Sequence, residues 1–206
     1  MALLEWTGAV VLTTPRLVLR AFRRDDLPHY AELNADLEVM RYLGAVLTRE
    51  SSDQMAVWAQ ERHAREGTGL LAIERRADGA FLGMCGLHVL HDWYPDDIEI
   101  GWRLARAHWG QGYATEAATA WLEHGFSTLG LARVISVTDP PNTRSLAVMH
   151  RLGMVLDHHA DLEYEGQTFR AVIHATTAEQ WRTRGERPAC PCATAAQGNF
   201  TPPWSG

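Results

Sequence analysis

One stretch constrains the chain more than any other: Ile98-Glu99-Ile100-Gly101-Trp102-Arg103-Leu104, a short connector, then Trp109-Gly110-Gln111-Gly112-Tyr113-Ala114-Thr115-Glu116-Ala117. Its first part carries β-branched residues at alternating positions, which predicts a strand. Beyond the glycines, Ala114, Ala117, Ala118, Trp121, Leu122 and Leu129 recur at helical spacing, with Glu116, Thr119, Glu123 and Ser127 on the opposite face. The connector holds two glycines and no proline. Backbone N–H groups from Gln111 to Thr115 can therefore come close to a ligand at the positive end of a helix, a setting suited to pyrophosphate. Two common owners of such a loop fit poorly. A dinucleotide fingerprint needs a third glycine where Thr115 stands, and a nucleotide-triphosphate loop needs a Gly-Lys-Ser/Thr run that is missing here.

The rest of the composition narrows the setting. At 206 residues and 46% hydrophobic, the chain is long enough for one domain with a substantial core. A formal charge of −6 without a basic run argues against nucleic acid as a partner and suits an amine-bearing one. Cys85 lies in an apolar strand pattern, and Cys190 and Cys192 flank Pro191 near the end. That count predicts no disulfide framework and a reducing, cytoplasmic setting. The Cys-Pro-Cys pair would need two further ligands to hold a metal, so none is expected. No basic segment precedes an apolar run at the N-terminus, and no apolar stretch reaches the ~18 residues a membrane span needs, so no membrane association is expected.

Along the chain, residues 1–10 read as loosely attached and residues 16–20 as a first strand. Asp25 and Asp26 open a helix that tolerates Pro28 in its first turn. Residues 36–43 and 48–66 read as a short and a longer helix, the second ended near Gly67 and Gly69. Residues 70–74 and 81–88 read as strands joined by a turn at Ala77-Asp78-Gly79. A polar, aromatic loop, His91-Asp92-Trp93-Tyr94-Pro95, precedes the opening stretch. Residues 133–138 form a strong strand, Asn142 caps a short helix closed by Gly153, and residues 161–164 and 168–175 pair across Glu165-Gly166. Residues 177–181 give a last helical turn. Strand, helices, antiparallel strands and then strand–helix–strand–helix describe an α+β sheet domain.

The constellation resembles the GNAT family of acetyl-CoA-dependent N-acetyltransferases. The family's Q/R-x-x-G-x-G/A loop aligns on Trp109, Gly112 and Ala114, with Trp109 in place of the usual Gln or Arg. The form Trp-Gly-Gln-Gly-Tyr-Ala-Thr-Glu-Ala is similar to the ribosomal-protein N-terminal acetyltransferase branch. Three further segments match in order: Thr14-x-Arg16-Leu17-x-Leu19-Arg20, Asp36-x-Glu38-Val39-Met40-Arg41-Tyr42-Leu43, and Asn142-x-x-Ser145 followed by Leu152-Gly153-Met154. The resemblance implies a mixed, mostly antiparallel sheet with splayed central strands and helices on both faces. It covers residues 13–183, leaving 1–12 as an extension and 184–206 as a flexible or surface-draped tail.

It also implies a donor site. The pyrophosphate of coenzyme A would lie on Trp109, Gly110, Gln111, Gly112, Tyr113, Ala114 and Thr115, and its amide arm would pair with the strand edge at Ile100, Trp102 and Leu104. Gly101 fits a bulge or a close backbone approach there, or simply packs beneath an aromatic. Asn142 is a helix cap, a partner of the amide arm, or both. Many GNAT enzymes protonate the departing thiolate with a tyrosine seven residues after this Asn, but here that place is Met149. The N-terminal acetyltransferase branch uses a serine, which Ser145 matches.

Glu99 is the first choice as proton acceptor, because a carboxylate in a central strand is costly without a partner or a task. An ion pair with an arginine is the competing reading, and His88, His91 and Asp92 are alternatives through a water. Trp58, Trp93, Tyr94 and Trp102 are candidates for the walls of the acceptor pocket. Acetyl transfer to a primary amine follows, with a protein N-terminus as the expected acceptor and a monomer or homodimer as the expected state. A small amine or antibiotic is the rival acceptor, and an acyl-CoA-binding sensor without turnover the rival class.

Overall fold

The structure is a computed structural model that describes residues 6–90, 93–164 and 167–184. Strands β1 (Val10–Thr13), β2 (Leu17–Arg20), β3 (Gly69–Arg75), β4 (Phe81–Leu90), β5 (Tyr94–Leu104), β6 (Arg133–Thr138), β7 (Val155–Tyr164) and β8 (Gln167–Thr177) form one sheet in the order β1-β2-β3-β4-β5-β6-β8-β7. Every neighbouring pair is antiparallel except β5 and β6, which run parallel. Alternation along the strands sends side chains to two layers. Ala72 and Met84 meet helices α1 (Asp26–Ala35), α2 (Leu37–Met40) and α3 (Arg49–Glu66) on one face. Leu71, Ile73, Cys85 and Leu87 meet α4 (Tyr113–Ser127), α5 (Thr143–Arg151) and α6 (Ala178–Thr183) on the other. No helix among the described residues is long and apolar enough to cross a membrane.

Local sequence sets the ends of these helices. The Thr48 side chain accepts from the Ser51 N–H to start α3, and Gly67, at φ +69°, ends it in the left-handed region. Asn142 starts α5 in the same way, and Thr177 with Gln180 forms a reciprocal capping box for α6. In α4 the small residues matter most. Ala117 and Ala118 are fully buried, and a Cβ on Gly125 would lie 2.9 Å from the Leu87 methyl, so the helix lies close against β4.

Several elements differ from the sequence reading. Of residues 1–10, expected to be loosely attached, 1–5 lie outside the described residues, Trp6 packs on the α1–α3 layer, and Val10 opens an edge strand, Val10–Thr13, on β2. Its side chains alternate only weakly in hydrophobicity, which hid it. Tyr94 and Pro95 belong to β5 rather than to a loop, and α2 is a single turn. Gly101 stands in register opposite Gly86, so it occupies no bulge; the irregularity of this pair lies at Val89/Leu90. Glu116, expected on the solvent face, is largely covered by the N-terminal strands. The Thr14 hydroxyl and the Arg16 N–H donate to its Oε1 at 2.6 and 2.9 Å, and the Arg16 guanidinium donates to Oε2 at 2.6 Å. His91, Asp92, Glu165, Gly166, Cys190 and Cys192 lie outside the described residues.

The feature that positions the site is the seam between β5 and β6. The two strands share one register pair, Glu99 with Ile135, and then diverge. The Ala105 N–H donates to the Leu82 carbonyl, so antiparallel parity turns the peptide groups of Ile100, Trp102 and Leu104 away from β4 and into the opening. An opened sheet leaves backbone groups in want of partners, and side chains supply most of them. The Ser136 hydroxyl donates to the Ile100 carbonyl at 3.0 Å, the Trp109 indole donates to the Leu104 carbonyl at 2.8 Å, and the Val137 N–H donates to Glu99 Oε1 at 3.0 Å. The Trp102 peptide group is left facing the gap.

Candidate active site

Two clefts open on the seam. The first, of about 720 Å³, lies between the end of β5, the loop before α4, and α5. Gly110 and Gly112 sit at φ +73° and +80°, a region in which glycine alone is unstrained, and this coils the backbone onto the N-terminus of α4. Arg16 clamps the same loop from outside, donating to the Gln111 carbonyl at 3.0 Å and lying 4.6 Å from the centre of the Tyr113 ring. Burial works against the charge of Glu116, but the hydrogen bonds from Thr14 and Arg16 outweigh it and hold the carboxyl below its ordinary pKa.

The structure brings most of the sequence-predicted donor residues together here. Trp102, Leu104, Trp109, Gly110, Gly112, Tyr113, Ala114, Thr115, Asn142 and Ser145 all line this cleft. Ile100 and Gln111 do not. The Ile100 side chain is buried in the core, and the Gln111 amide donates back to the Ala107 carbonyl at 3.1 Å. Trp109, which replaces the family's polar residue, ties the loop to β5, and the Arg144 guanidinium lies 4.5 Å from the centre of its ring. Asn142 acts as a cap: its Oδ1 accepts from the Ser145 N–H at 3.3 Å, and its Nδ2 donates to Thr138 at 2.9 Å. The Ser145 hydroxyl makes no hydrogen bond among the described residues.

The second cleft, of about 1040 Å³, opens on the α1–α3 side. Trp58, Trp93 and Trp102 line it as expected, whereas Tyr94 does not, its hydroxyl lying 3.0 Å from His158 Nε2. Glu99 and His88 are both buried, and they stand together with 2.9 Å between Glu99 Oε2 and His88 Nε2. The carboxylate is therefore paired, though with a histidine and a peptide N–H rather than with an arginine. Sequence alone offered His88 only as an alternative to Glu99, because the β4–β5 register that makes them neighbours depends on long-range pairing. Arg103, Leu70 and Phe169 also line this cleft and were missed; Arg103, the one cation in a strand whose other charged residues are carboxylates, was the available signal.

The two clefts share Tyr42, Leu43, Trp102, Arg103, Asn142 and Ser145, so they meet between the segment after α2, the end of β5 and the first turn of α5. One side offers backbone N–H groups at a helix terminus and a free strand edge. The other offers a buried acid–imidazole pair and aromatic walls. Asp139, which also lines the second cleft, has its pKa raised by burial. Burial likewise pushes the Cys85 thiol up, away from reactivity. No group of three or more His, Cys, Asp or Glu among the described residues could hold a metal ion.

Comparison with known proteins agrees with this geometry. The model of the acetyltransferase (GNAT) domain matches residues 16–155. The uncharacterised protein YkkB of Bacillus subtilis is 33% identical over 144 residues, covering 69% of this chain and 84% of that protein. The FsC-acetyl coenzyme A-N(2)-transacetylase of Aspergillus fumigatus is 29% identical over 182 residues, covering 82% and 77%. Among solved structures, RimL, a ribosomal L7/L12 α-N-protein acetyltransferase in complex with coenzyme A, has the same fold. Its TM-score is 0.69 at 18% identity, over 82% of this chain and 97% of that one. The eight-stranded sheet that opens between β5 and β6, and the family match across most of the domain, show that the chain belongs to the GNAT family of acetyltransferases, enzymes that use acetyl-CoA.

Proposed function

We propose that the protein transfers an acetyl group from acetyl-CoA to the α-amine of a protein N-terminus, in the cytoplasm. The observation that carries this reading is the meeting of a donor cleft and an acceptor cleft at Ser145, with the Glu99–His88 pair on the acceptor side. Acetyl-CoA, when bound, supplies a thioester whose carbonyl is open to attack by an amine. The loop from Gly110 to Thr115 and the N-terminus of α4 hold pyrophosphate by backbone N–H groups, and the Trp102 peptide group accepts the amide arm as a strand edge would. The Glu99–His88 pair takes the proton of the incoming ammonium. The Ser145 hydroxyl, otherwise unengaged, gives its proton to the departing sulfur and regains one from the nitrogen that sheds it as the C–S bond breaks and the amide forms.

An α-amine, with pKa ~7.7–8.0, needs far less help to lose its proton than a lysine at ~10.4. A carboxylate–imidazole pair without a stronger base is sufficient for it. The RimL fold and the serine at position 145 support the same reading. The relationship to the Aspergillus relative, whose name specifies acetyl transfer at an N(2) nitrogen and mentions no protein, favours a second reading in which the acceptor is a small amine.

Incubation with acetyl-CoA and a panel of free-N-terminal peptides, polyamines and aminoglycosides, read by thiol release, separates the two. Turnover led by peptides supports the first reading and turnover led by small amines the second. Tight acetyl-CoA binding with no turnover on any amine would overturn both.

A further inference from the structure

Asp139 is a carboxylate without a counter-charge. It follows β6, directly before Pro140 and Pro141, and its carbonyl accepts from the Asn142 N–H at 3.0 Å, so the turn into α5 fixes its place. A residue before proline is kept extended, so the alternation of β6 runs on and Asp139 shares a side with Val137. Both line the second cleft and neither lines the first. Other carboxylates around the seam are engaged: Glu99 with His88, Asp97 and Asp157 with Arg133, and Glu116 with Arg16. The half-buried Asp139 carboxylate makes no hydrogen bond or ion pair among the described residues. Burial acts on it alone, raising its pKa with nothing to offset the cost.

The strand β6 also sets its distance from the acid–imidazole pair. Glu99 reaches that strand at Val137, whose N–H donates to Oε1 at 3.0 Å, and Asp139 stands two residues further on, about 7 Å along the strand. The cleft therefore presents two carboxylates a short chain apart, one paired with an imidazole and one bare. Its two arginines are engaged elsewhere. Arg103 donates to Asn34 on α1, and Arg41 lies 3.9 Å from Glu38 and 5.5 Å from the centre of the Tyr42 ring. A half-buried carboxylate on the wall of a cleft, with no cation of the protein's own beside it, suits a cation carried by the ligand.

Resting on the acetyl-transfer reading, we propose that Asp139 binds a second cationic group of the acceptor. The reacting amine sits at His88 and Glu99, and an ammonium or guanidinium about 7 Å from it reaches Asp139. Preferred acceptors are then dications: a protein N-terminus with lysine or arginine as its second residue, or a free diamine. Acceptors that carry an acidic group at that distance are turned away by like charge.

The test uses the full chain with acetyl-CoA and three peptides that differ only in a second residue of Lys, Gln or Glu, together with putrescine and butylamine. Wild-type kcat/KM for the Lys peptide should exceed that for the Gln peptide by about tenfold or more, with Glu lower still, where the cation comes from a protein. The same margin of putrescine over butylamine, without a preference among peptides, assigns the subsite to a small acceptor. Asp139→Asn should remove the preference, mainly through KM, and Asp139→Lys should turn it toward the Glu peptide, with circular dichroism confirming the fold. A merely structural role for Asp139 cannot produce that reversal. Equal use of the three peptides together with equal use of the two small amines, or a preference that survives both substitutions, would overturn the subsite. Should no amine be turned over, the acetyl-transfer reading fails on its own, and titration calorimetry with putrescine and butylamine decides the subsite separately. Tighter putrescine binding that is lost in Asp139→Asn supports it; equal or absent binding refutes it.

Discussion

Ser145 owes its place to Asn142, whose side chain caps α5 and so fixes the first turn on which the serine stands. Met149, one turn further on, is buried and has no proton to give. Ser145→Ala should lower turnover about 10²-fold or more while acetyl-CoA affinity, measured by titration calorimetry, changes little; an unchanged rate would remove Ser145 from the mechanism. Gly112 makes a complementary case. At φ +80° any side chain is strained, and an aspartate would add negative charge where pyrophosphate is expected. Gly112→Asp should therefore abolish acetyl-CoA binding, and retained affinity would place the pyrophosphate elsewhere. Glu99 and Ser145 were both singled out in the sequence, one as a carboxylate in a central strand and the other by the family resemblance at its spacing from Asn142, and both line the clefts. Ser136 was not, although a buried serine in the apolar run of β6 was a signal that the strand has unusual work there.

At the scale of elements, the opening-strand motif turns out to be structural rather than chemical. Arg20, on β2, is 1% exposed and holds both oxygens of Asp26 at the start of α1, at 2.7 and 2.8 Å, and Glu74 on β3 at 2.8 Å. This joins the first helix to the sheet beneath the α1–α3 layer. Removing the cation leaves Asp26 without a counter-charge in a buried place, while Glu74 keeps the Arg23 guanidinium at 2.6 Å, so Arg20→Met should cost about 3–5 kcal/mol, read as a lower urea midpoint. A stability within ~1 kcal/mol of wild type would mean the Asp26 carboxylate finds water instead. The helices of this layer were readable because caps and glycines mark their ends, whereas β1 and the first residues of β5 were not. Their strand character comes from pairing with neighbours rather than from their own alternation.

Across the whole molecule, the sheet is two half-sheets, β1–β5 and β6–β8, joined at one ladder step. Arg133 reinforces that junction at the end opposite the clefts, with Asp97 of β5 at 3.2 Å and Asp157 of β7 at 2.9 Å. The Arg133 guanidinium, with His158, depresses the Asp157 carboxyl to about 2. A carboxyl held below its ordinary value of ~3.9 stabilises the fold fully above that pH and loses its contribution as pH falls toward the depressed value. The urea midpoint of the wild type should thus fall between about pH 4 and 2 more steeply than that of Arg133→Gln, and the two curves should converge near pH 2. Parallel curves over this range would show that the pair contributes nothing.

The Trp102 peptide group that faces the gap has a mechanical consequence. A ligand arm laid along that edge replaces the missing ladder between the half-sheets, so it acts as a strut as well as a reactant. If the donor arm pairs there, flexing about the Glu99–Ile135 step should be more restrained in the loaded protein than in the free one. Amide exchange in β6, and not only at Trp102, should slow once the donor is in place.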